Sequence, residues 1–121
     1  MAYLHLEGVL DTPTLDAIRA QLVQGVHFAD GGDTAAGHAR SVKHNEQALA
    51  NDTVTAVTRL VADRLGRHPV FAAARPARIA GLRISRYRAG MRYGLHVDEP
   101  LIDGVRTDLS FTVCLSHPDD Y

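Results

Sequence analysis

His96 and Asp98 are the residues of this sequence best suited to bind a metal ion. They are separated by one residue and directly follow a segment with the character of a β-strand. Because strand side chains alternate between two faces, both side chains can lie on the same face and converge on one ion. An imidazole and a carboxylate are two of the three ligands of a 2-His-1-carboxylate iron site. Taken alone, the pair is more often an ordinary His–Asp surface pair, and as part of a metal centre it needs a third ligand, a distant histidine, from elsewhere.

The residues before this pair extend it into a longer motif. Tyr87, Gly90, Tyr93, His96 and Asp98 form the pattern Y-x-x-G-x-x-Y-x-x-H-x-D. This pattern resembles the Fe(II)/2-oxoglutarate dioxygenases of the prolyl 4-hydroxylase superfamily, in particular the bacterial PKHD-type hydroxylases. Five further segments resemble the same family in the same order: Ala36–His38, Lys43-x-Asn45-x-Gln47, Gly66–Phe71, Val105–Ser110 and Leu115–Tyr121. The resemblance covers nearly the whole chain.

The fold implied by the resemblance is α+β, with N-terminal helices packed on a double-stranded β-helix, or jelly roll. In these enzymes later strands carry the second histidine ligand and a basic residue that pairs with 2-oxoglutarate, and neither position exists in this sequence. We therefore interpret residues 1–121 as the N-terminal part of a single dioxygenase domain, truncated before the distal strands. Helical support is expected over about 1–69, and the first jelly-roll strands and the H-x-D loop over about 70–121.

The resemblance also implies an activity. A hydroxylase of this family couples oxidative decarboxylation of 2-oxoglutarate by dioxygen to hydroxylation of a prime substrate, here unknown, with Fe(II) as cofactor and ascorbate as reductant. His96 and Asp98 are then the metal ligands and catalytic residues. Tyr87 matches a tyrosine that hydrogen-bonds the co-substrate. Tyr93 is expected either to line the 2-oxoglutarate pocket or to pack on the core as a half-buried strand residue.

Two groups of polar residues have both a functional and a structural interpretation. Arg106 could bind an acidic substrate group through its guanidinium, but pairing with a neighbouring carboxylate is the safer expectation. Lys43, Asn45 and Gln47 are separated by single residues, so they can face one side of an extended strand. They are expected either near the mouth of the pocket or on an exposed polar strand.

The remaining histidines and the single cysteine are assigned structural positions. Alternation predicts a half-buried strand over residues 106–115, and ten residues of strand span about 30 Å. His117 would then lie far from the metal loop, in a surface turn. Cys114 is the only cysteine, so an internal disulfide is excluded. It is predicted to be a small core residue. The other histidines lack metal spacing and are predicted to be surface or capping residues: His5, His27, His38, His44 and His68.

Local signals place the helices before most of the strands. Asp11 or Thr12 can cap a first helix, and a second helix is predicted from Asn51 or Asp52 to about Gly66. Tyr3 to Leu10 could be a short strand, and residues 31–37 are expected to form a mobile loop. Residues 70–74 and 78–87 are predicted to be extended.

Composition narrows the classes of partner. The chain has 121 residues, 45% of them hydrophobic, which allows one domain with a core. A net charge of −1 without a basic run argues against nucleic acid and anionic membranes as partners. The first residues have neither a basic start nor an unbroken apolar run, so no signal peptide or membrane span is predicted and a cytoplasmic location is the default expectation.

Two other function classes stay open beside the hydroxylase. One is a non-catalytic binding or interaction module that retains half a metal site. The other is a hydrolase with a His96–Asp98 dyad as general base, which ranks last because no serine or cysteine stands in a recognisable nucleophile context. Whatever the function, a jelly roll cut after its first strands has unpaired edges, so self-association through these edges is expected.

Overall fold

Two long helices form where their capping residues predict them. The computed structural model describes residues 3–120, with α1 at Thr12–Gly25 and α3 at Asp52–Arg67. An oxygen of Asp11 accepts a hydrogen bond from the Thr14 N–H at 2.9 Å, and Oδ1 of Asn51 accepts from the Val54 N–H at 2.8 Å. Each cap satisfies a backbone donor that the helix itself leaves unpaired.

The core lies where these two helices meet. Its buried members come from α1, α3 and the segment after α3: Ile18, Val57, Val61 and Ile84. Phe28, Val113 and Leu115 are partly buried and pack against this cluster. The guanidinium of Arg19 on α1 donates to the Leu115 carbonyl at 2.5 Å. The C-terminal segment is thereby fixed on the helical layer.

The strands are short and antiparallel, so the fold is α+β. Their bounds are β1 Phe28–Asp30, β2 Lys43–His44, β3 Glu46–Ala48, β4 Ser85–Arg86, β5 Arg92–Tyr93, β6 Leu101–Ile102 and β7 Val105–Arg106. One sheet has the order β1-β3-β4, β2 pairs with β5, and β6 pairs with β7. Three strands precede α3, so the chain does not run strictly from helices to strands.

Several short elements differ from the sequence-based prediction. Residues 70–74 were predicted to be extended, which is wrong, because Pro69 starts helix α4 at Pro69–Ala73 and the His68 ring caps it. The predicted mobile loop at 31–37 contains the 3-10 helix η1 at Gly31–Thr34 and the start of helix α2 at Gly37–Ser41. The η1 helix is capped by Asp30, whose carboxylate accepts from the Gly32 N–H at 2.7 Å.

The two terminal predictions are also corrected. The described part of the segment 3–10 has no strand, and Gly8 within it has a φ of 72°. Within the predicted strand 106–115 only Arg106 belongs to a strand, and although Val113 and Leu115 pack against the core, Leu109 and Phe111 of the same face are exposed. Cys114 lies on the opposite face and is exposed, so its assignment to the core is wrong. Met1, Ala2 and Tyr121, the last belonging to the Leu115–Tyr121 segment, lie outside the described residues.

Candidate functional site

His96 and Asp98 point toward each other in the loop that follows β5. His96 Nε2 lies 3.1 Å from Asp98 Oδ1, and His96 Nδ1 lies 2.7 Å from the Gly94 carbonyl oxygen. Because a carbonyl oxygen only accepts, the proton of Nδ1 is directed at Gly94, and Nε2 is the ring nitrogen that faces the carboxylate. The imidazole is mostly buried, whereas the carboxylate is exposed to solvent. The arrangement offers one cation two ligand atoms, Nε2 of His96 and Oδ1 of Asp98.

The loop is held by the α2–β2 segment. The Gly94 N–H donates to the Val42 carbonyl at 2.8 Å, and Lys43 pairs with Tyr93 across β2 and β5. A β-carbon on Gly94 would lie 2.9 Å from the β-carbon of Val42. His38 Nε2 approaches the Leu95 carbonyl to 3.1 Å. His38 is exposed, as expected of a surface histidine, and together with Gly94 it secures the position of the loop.

Tyr93 lies directly against the imidazole. The rings of Tyr93 and His96 are stacked, and the Lys43 ammonium lies 5.2 Å from the centre of the Tyr93 ring. Burial, followed by the charge of Asp98, raises the pKa of the Tyr93 phenol, so its hydroxyl stays protonated at neutral pH. Burial and the nearby Arg83 lower the pKa of Lys43. Tyr93 therefore contacts the histidine of the pair and is not a member of the buried core cluster.

Tyr87 directly follows β4 of the β1-β3-β4 sheet and is half-exposed. Its oxygen accepts a hydrogen bond of 2.9 Å from Asn45 Nδ2, and Asn45 is buried. The Lys43-x-Asn45-x-Gln47 segment indeed shares a face: Lys43 donates to the Thr34 hydroxyl at 2.5 Å, while Asn45 and Gln47 both surround Gly31. The burial of Asn45 was not predicted, because nothing local in the sequence indicates that Tyr87 lies opposite it.

Arg106 and His117 are engaged with their own neighbours. The Arg106 guanidinium donates to Asp108 Oδ2 at 3.0 and 3.1 Å, as its structural interpretation predicts. His117 Nδ1 accepts from the Asp119 N–H at 3.3 Å in the surface turn that ends in the 3-10 helix η2 at Pro118–Asp120. Within residues 3–120, no group of three or more histidine, cysteine, aspartate or glutamate side chains is arranged to hold a metal ion.

Curated bacterial proteins match this chain along almost its entire length. It is 44% identical over 119 residues to a PKHD-type hydroxylase of Maricaulis maris, and 40% identical over 120 residues to one of Parvibaculum lavamentivorans. A PKHD-type hydroxylase of Idiomarina loihiensis is 40% identical over 119 residues. Each match covers 98% of this chain. The chain resembles the N-terminal part of PKHD-type hydroxylases.

This confirms the family resemblance inferred from the motif and its surrounding segments. The chain spans about half the length of the curated relatives it matches, with 54% of the Maricaulis protein and 55% of the Parvibaculum protein covered. No protein-family model matches the chain, and no solved structure matches it. Across the part that the structure describes, none of the helices is long and apolar enough to cross a bilayer.

Proposed function

We propose that this chain forms the N-terminal part of an Fe(II)- and 2-oxoglutarate-dependent hydroxylase, with His96 and Asp98 as two of its three metal ligands. The observation that carries the proposal is the 3.1 Å separation of Nε2 and Oδ1. These two atoms, an imidazole nitrogen and a carboxylate oxygen, would hold the ion and are ligand types found in 2-His-1-carboxylate iron sites. The hydrogen bond of Nδ1 to the Gly94 carbonyl keeps Nε2 free for this role.

The remaining roles follow from the resemblance and the contacts at the site. When bound, Fe(II) would supply the oxidative decarboxylation of 2-oxoglutarate by dioxygen that is coupled to hydroxylation of the prime substrate, with ascorbate as reductant. Tyr87 would donate its hydroxyl to a co-substrate carboxylate, and Tyr93 would line the pocket and restrain the imidazole. Arg106 would bind substrate only if an acidic substrate group displaces Asp108 from its guanidinium.

The architecture of the complete site is part of the proposal. The distal histidine and the basic residue that pairs with 2-oxoglutarate would come from residues outside 1–121, in the portion of the relatives that this chain does not match. The short sheets built from β1 to β7 would then be the first strands of a jelly roll. Residues 1–121 would belong to a single domain with those later strands.

Metal binding and succinate formation test this proposal in the intact protein. We expect the unaltered protein to bind Mn(II) or Fe(II) under anaerobic conditions and to form succinate from 2-oxoglutarate once Fe(II) and dioxygen are supplied. His96→Ala and Asp98→Ala should abolish both, whereas Asp16→Ala, which removes an exposed carboxylate of α1, should change neither. Failure to bind metal would overturn the proposal. Metal binding without succinate would favour the non-catalytic module.

A further inference from the structure

Asn45 is a buried amide with an unusual set of partners. It is 3% exposed, and no other polar side chain within residues 3–120 is buried to this degree. Its Nδ2 donates to the Tyr87 hydroxyl oxygen at 2.9 Å, while its Oδ1 has no hydrogen-bond partner among the described residues. A buried acceptor without a donor is costly, so a gain elsewhere must compensate for this arrangement.

The position of Asn45 is fixed on two sides. Glu46 pairs with Arg86 across β3 and β4, and continuing this register places Asn45 opposite Tyr87. On the other side, the Gly31 N–H donates to the Asn45 backbone carbonyl at 3.0 Å. A β-carbon on Gly31 would lie only 1.9 Å from Asn45 Oδ1. Gly31 is therefore required for close approach, and the amide is held between Gly31 and the phenol.

The direction of this hydrogen bond controls the hydroxyl proton of Tyr87. The amide nitrogen, not Oδ1, faces the phenol, so Asn45 donates and the Tyr87 oxygen accepts. Since the Tyr87 oxygen accepts from Asn45, its own O–H must point elsewhere. The residue is 49% exposed, so an open side is available to the proton. A hydroxyl that accepts one hydrogen bond also becomes a stronger donor in another.

We infer that Asn45 is a positioning residue, which directs the O–H of Tyr87 toward a carboxylate of the bound co-substrate. The inference rests on the proposed function, because that proposal gives Tyr87 its ligand. It adds that the side chain of Asn45 acts only through Tyr87 and that Gly31 holds Asn45 in the orientation that donates. The expected ligand is a carboxylate oxygen, which accepts and cannot donate.

A double-mutant cycle in the intact protein tests this coupling. Calorimetry gives the Kd for 2-oxoglutarate in the presence of Mn(II), and succinate formation with Fe(II) gives kcat. Asn45→Ala and Tyr87→Phe should each weaken 2-oxoglutarate binding by roughly 2- to 10-fold, the range of one hydrogen bond, with a smaller effect on kcat. The double variant should bind no more weakly than Tyr87→Phe alone, because the effect of Asn45 passes through the phenol.

Two further variants separate positioning from folding. Gly31→Ala should weaken binding as Asn45→Ala does, whereas Gly32→Ala, whose new β-carbon would meet only the exposed Asp30 carboxylate at 3.2 Å, should not. Asn51→Ala removes the cap of α3 and should lower the unfolding temperature without changing Kd. If Asn45→Ala fails to fold, Asn45→Asp, which keeps the size but loses the N–H donor, takes its place in the cycle.

The outcomes distinguish this inference from the proposed function. Additive effects of Asn45→Ala and Tyr87→Phe, or an unchanged Kd in Asn45→Ala, would overturn the positioning role while leaving the hydroxylase proposal intact. If the unaltered protein with Mn(II) binds no 2-oxoglutarate, the proposed function fails and the positioning role fails with it.

Discussion

The imidazole of His96 lies parallel to the phenol ring of Tyr93, with 3.7 Å between the ring centres and 6° between the planes. Together with the Gly94 carbonyl, this contact restrains the ring of His96 in both position and rotation. Residues that orient a metal ligand contribute to metal affinity without touching the ion. Tyr93 is therefore placed to affect metal binding through its ring rather than through its hydroxyl.

Replacing Tyr93 should weaken metal binding in a way that depends on ring shape. An aromatic pair contributes about 0.5–1.5 kcal/mol beyond its burial, so Tyr93→Leu should lower affinity for Mn(II) by roughly 2- to 10-fold. Tyr93→Phe retains the ring and should stay within about 2-fold of the unaltered protein. Calorimetric titration of the intact protein measures both. An equal loss in Tyr93→Phe would show that the hydroxyl matters and the stacking does not.

The carboxylate of Glu46 should make stability depend on acid pH. Arg86 donates to Glu46 Oε2 at 2.6 Å, and Arg88 Nε lies 3.2 Å from Oε1. The hydrogen bond from Arg86 is the main reason why the pKa of Glu46 lies below its ordinary value of 4.5. The ionised form thus stabilises the fold above pH 4.5, and this contribution is lost as the pH falls through the lower pKa of the folded state.

Thermal unfolding across the acid range checks this prediction. Glu46→Gln should flatten the loss of unfolding temperature below pH 4.5, relative to the unaltered protein. Part of the loss should persist, because the hydrogen bond from Thr14 also lowers the pKa of Asp11. Asp16→Asn serves as the control for removing an exposed carboxylate. Parallel curves for Glu46→Gln and the unaltered protein would contradict the prediction.

Asn51 joins the start of α3 to the end of α1. Its Oδ1 caps α3, and its Nδ2 donates to the Gly25 carbonyl at 2.7 Å. Asn51→Ala should lower the free energy of unfolding by about 1 kcal/mol for the cap, with an additional loss from the Gly25 contact. Asn51→Asp keeps the cap and loses the contact, so denaturant unfolding of both variants separates the two parts. An Asn51→Asp variant as unstable as Asn51→Ala would show that the cap contributes little.

The 121-residue chain expressed by itself should self-associate. Leu95 and Val97, which flank the histidine of the pair, are 94% and 90% exposed, and Leu101 and Leu109 are also exposed. Large exposed apolar side chains favour association between copies. Sedimentation velocity should show a larger average mass as concentration rises, and Leu95→Ser with Val97→Ser should reduce it. A monomer at all concentrations would exclude this behaviour.

The parts of the fold that depend on local signals could be predicted from the sequence. Asp11 and Asn51 mark the starts of α1 and α3 because a cap satisfies donors within its own turn. Helix α4 was missed because β-branched and aromatic residues after Pro69 favour a strand, whereas the proline also fits the first turn of a helix. Cys114 was wrongly assigned to the core because alternation along a strand separates two faces but does not show on which face a cysteine lies.

In the candidate site, too, local spacing could be interpreted from the sequence, whereas long-range contacts could not. Period-two spacing placed His96 and Asp98 on one side, although they lie in the loop after β5 and not within a strand. The contacts that hold them could not be predicted, since Asn45 and Tyr87, 42 positions apart, meet only through the pairing of β3 with β4. Likewise, the need for glycine at position 94 comes from Val42, which is remote in the sequence.

Gly94 is bonded in two directions, through its N–H to Val42 and through its carbonyl to His96. A single peptide segment therefore links the backbone of the α2–β2 segment to the proposed metal ligand. Laboratory evolution for altered metal affinity should accordingly recover substitutions at Val42 as readily as near the ion. Substitutions at residue 42 would then change metal affinity, although mutagenesis limited to the metal ligands would not include this position.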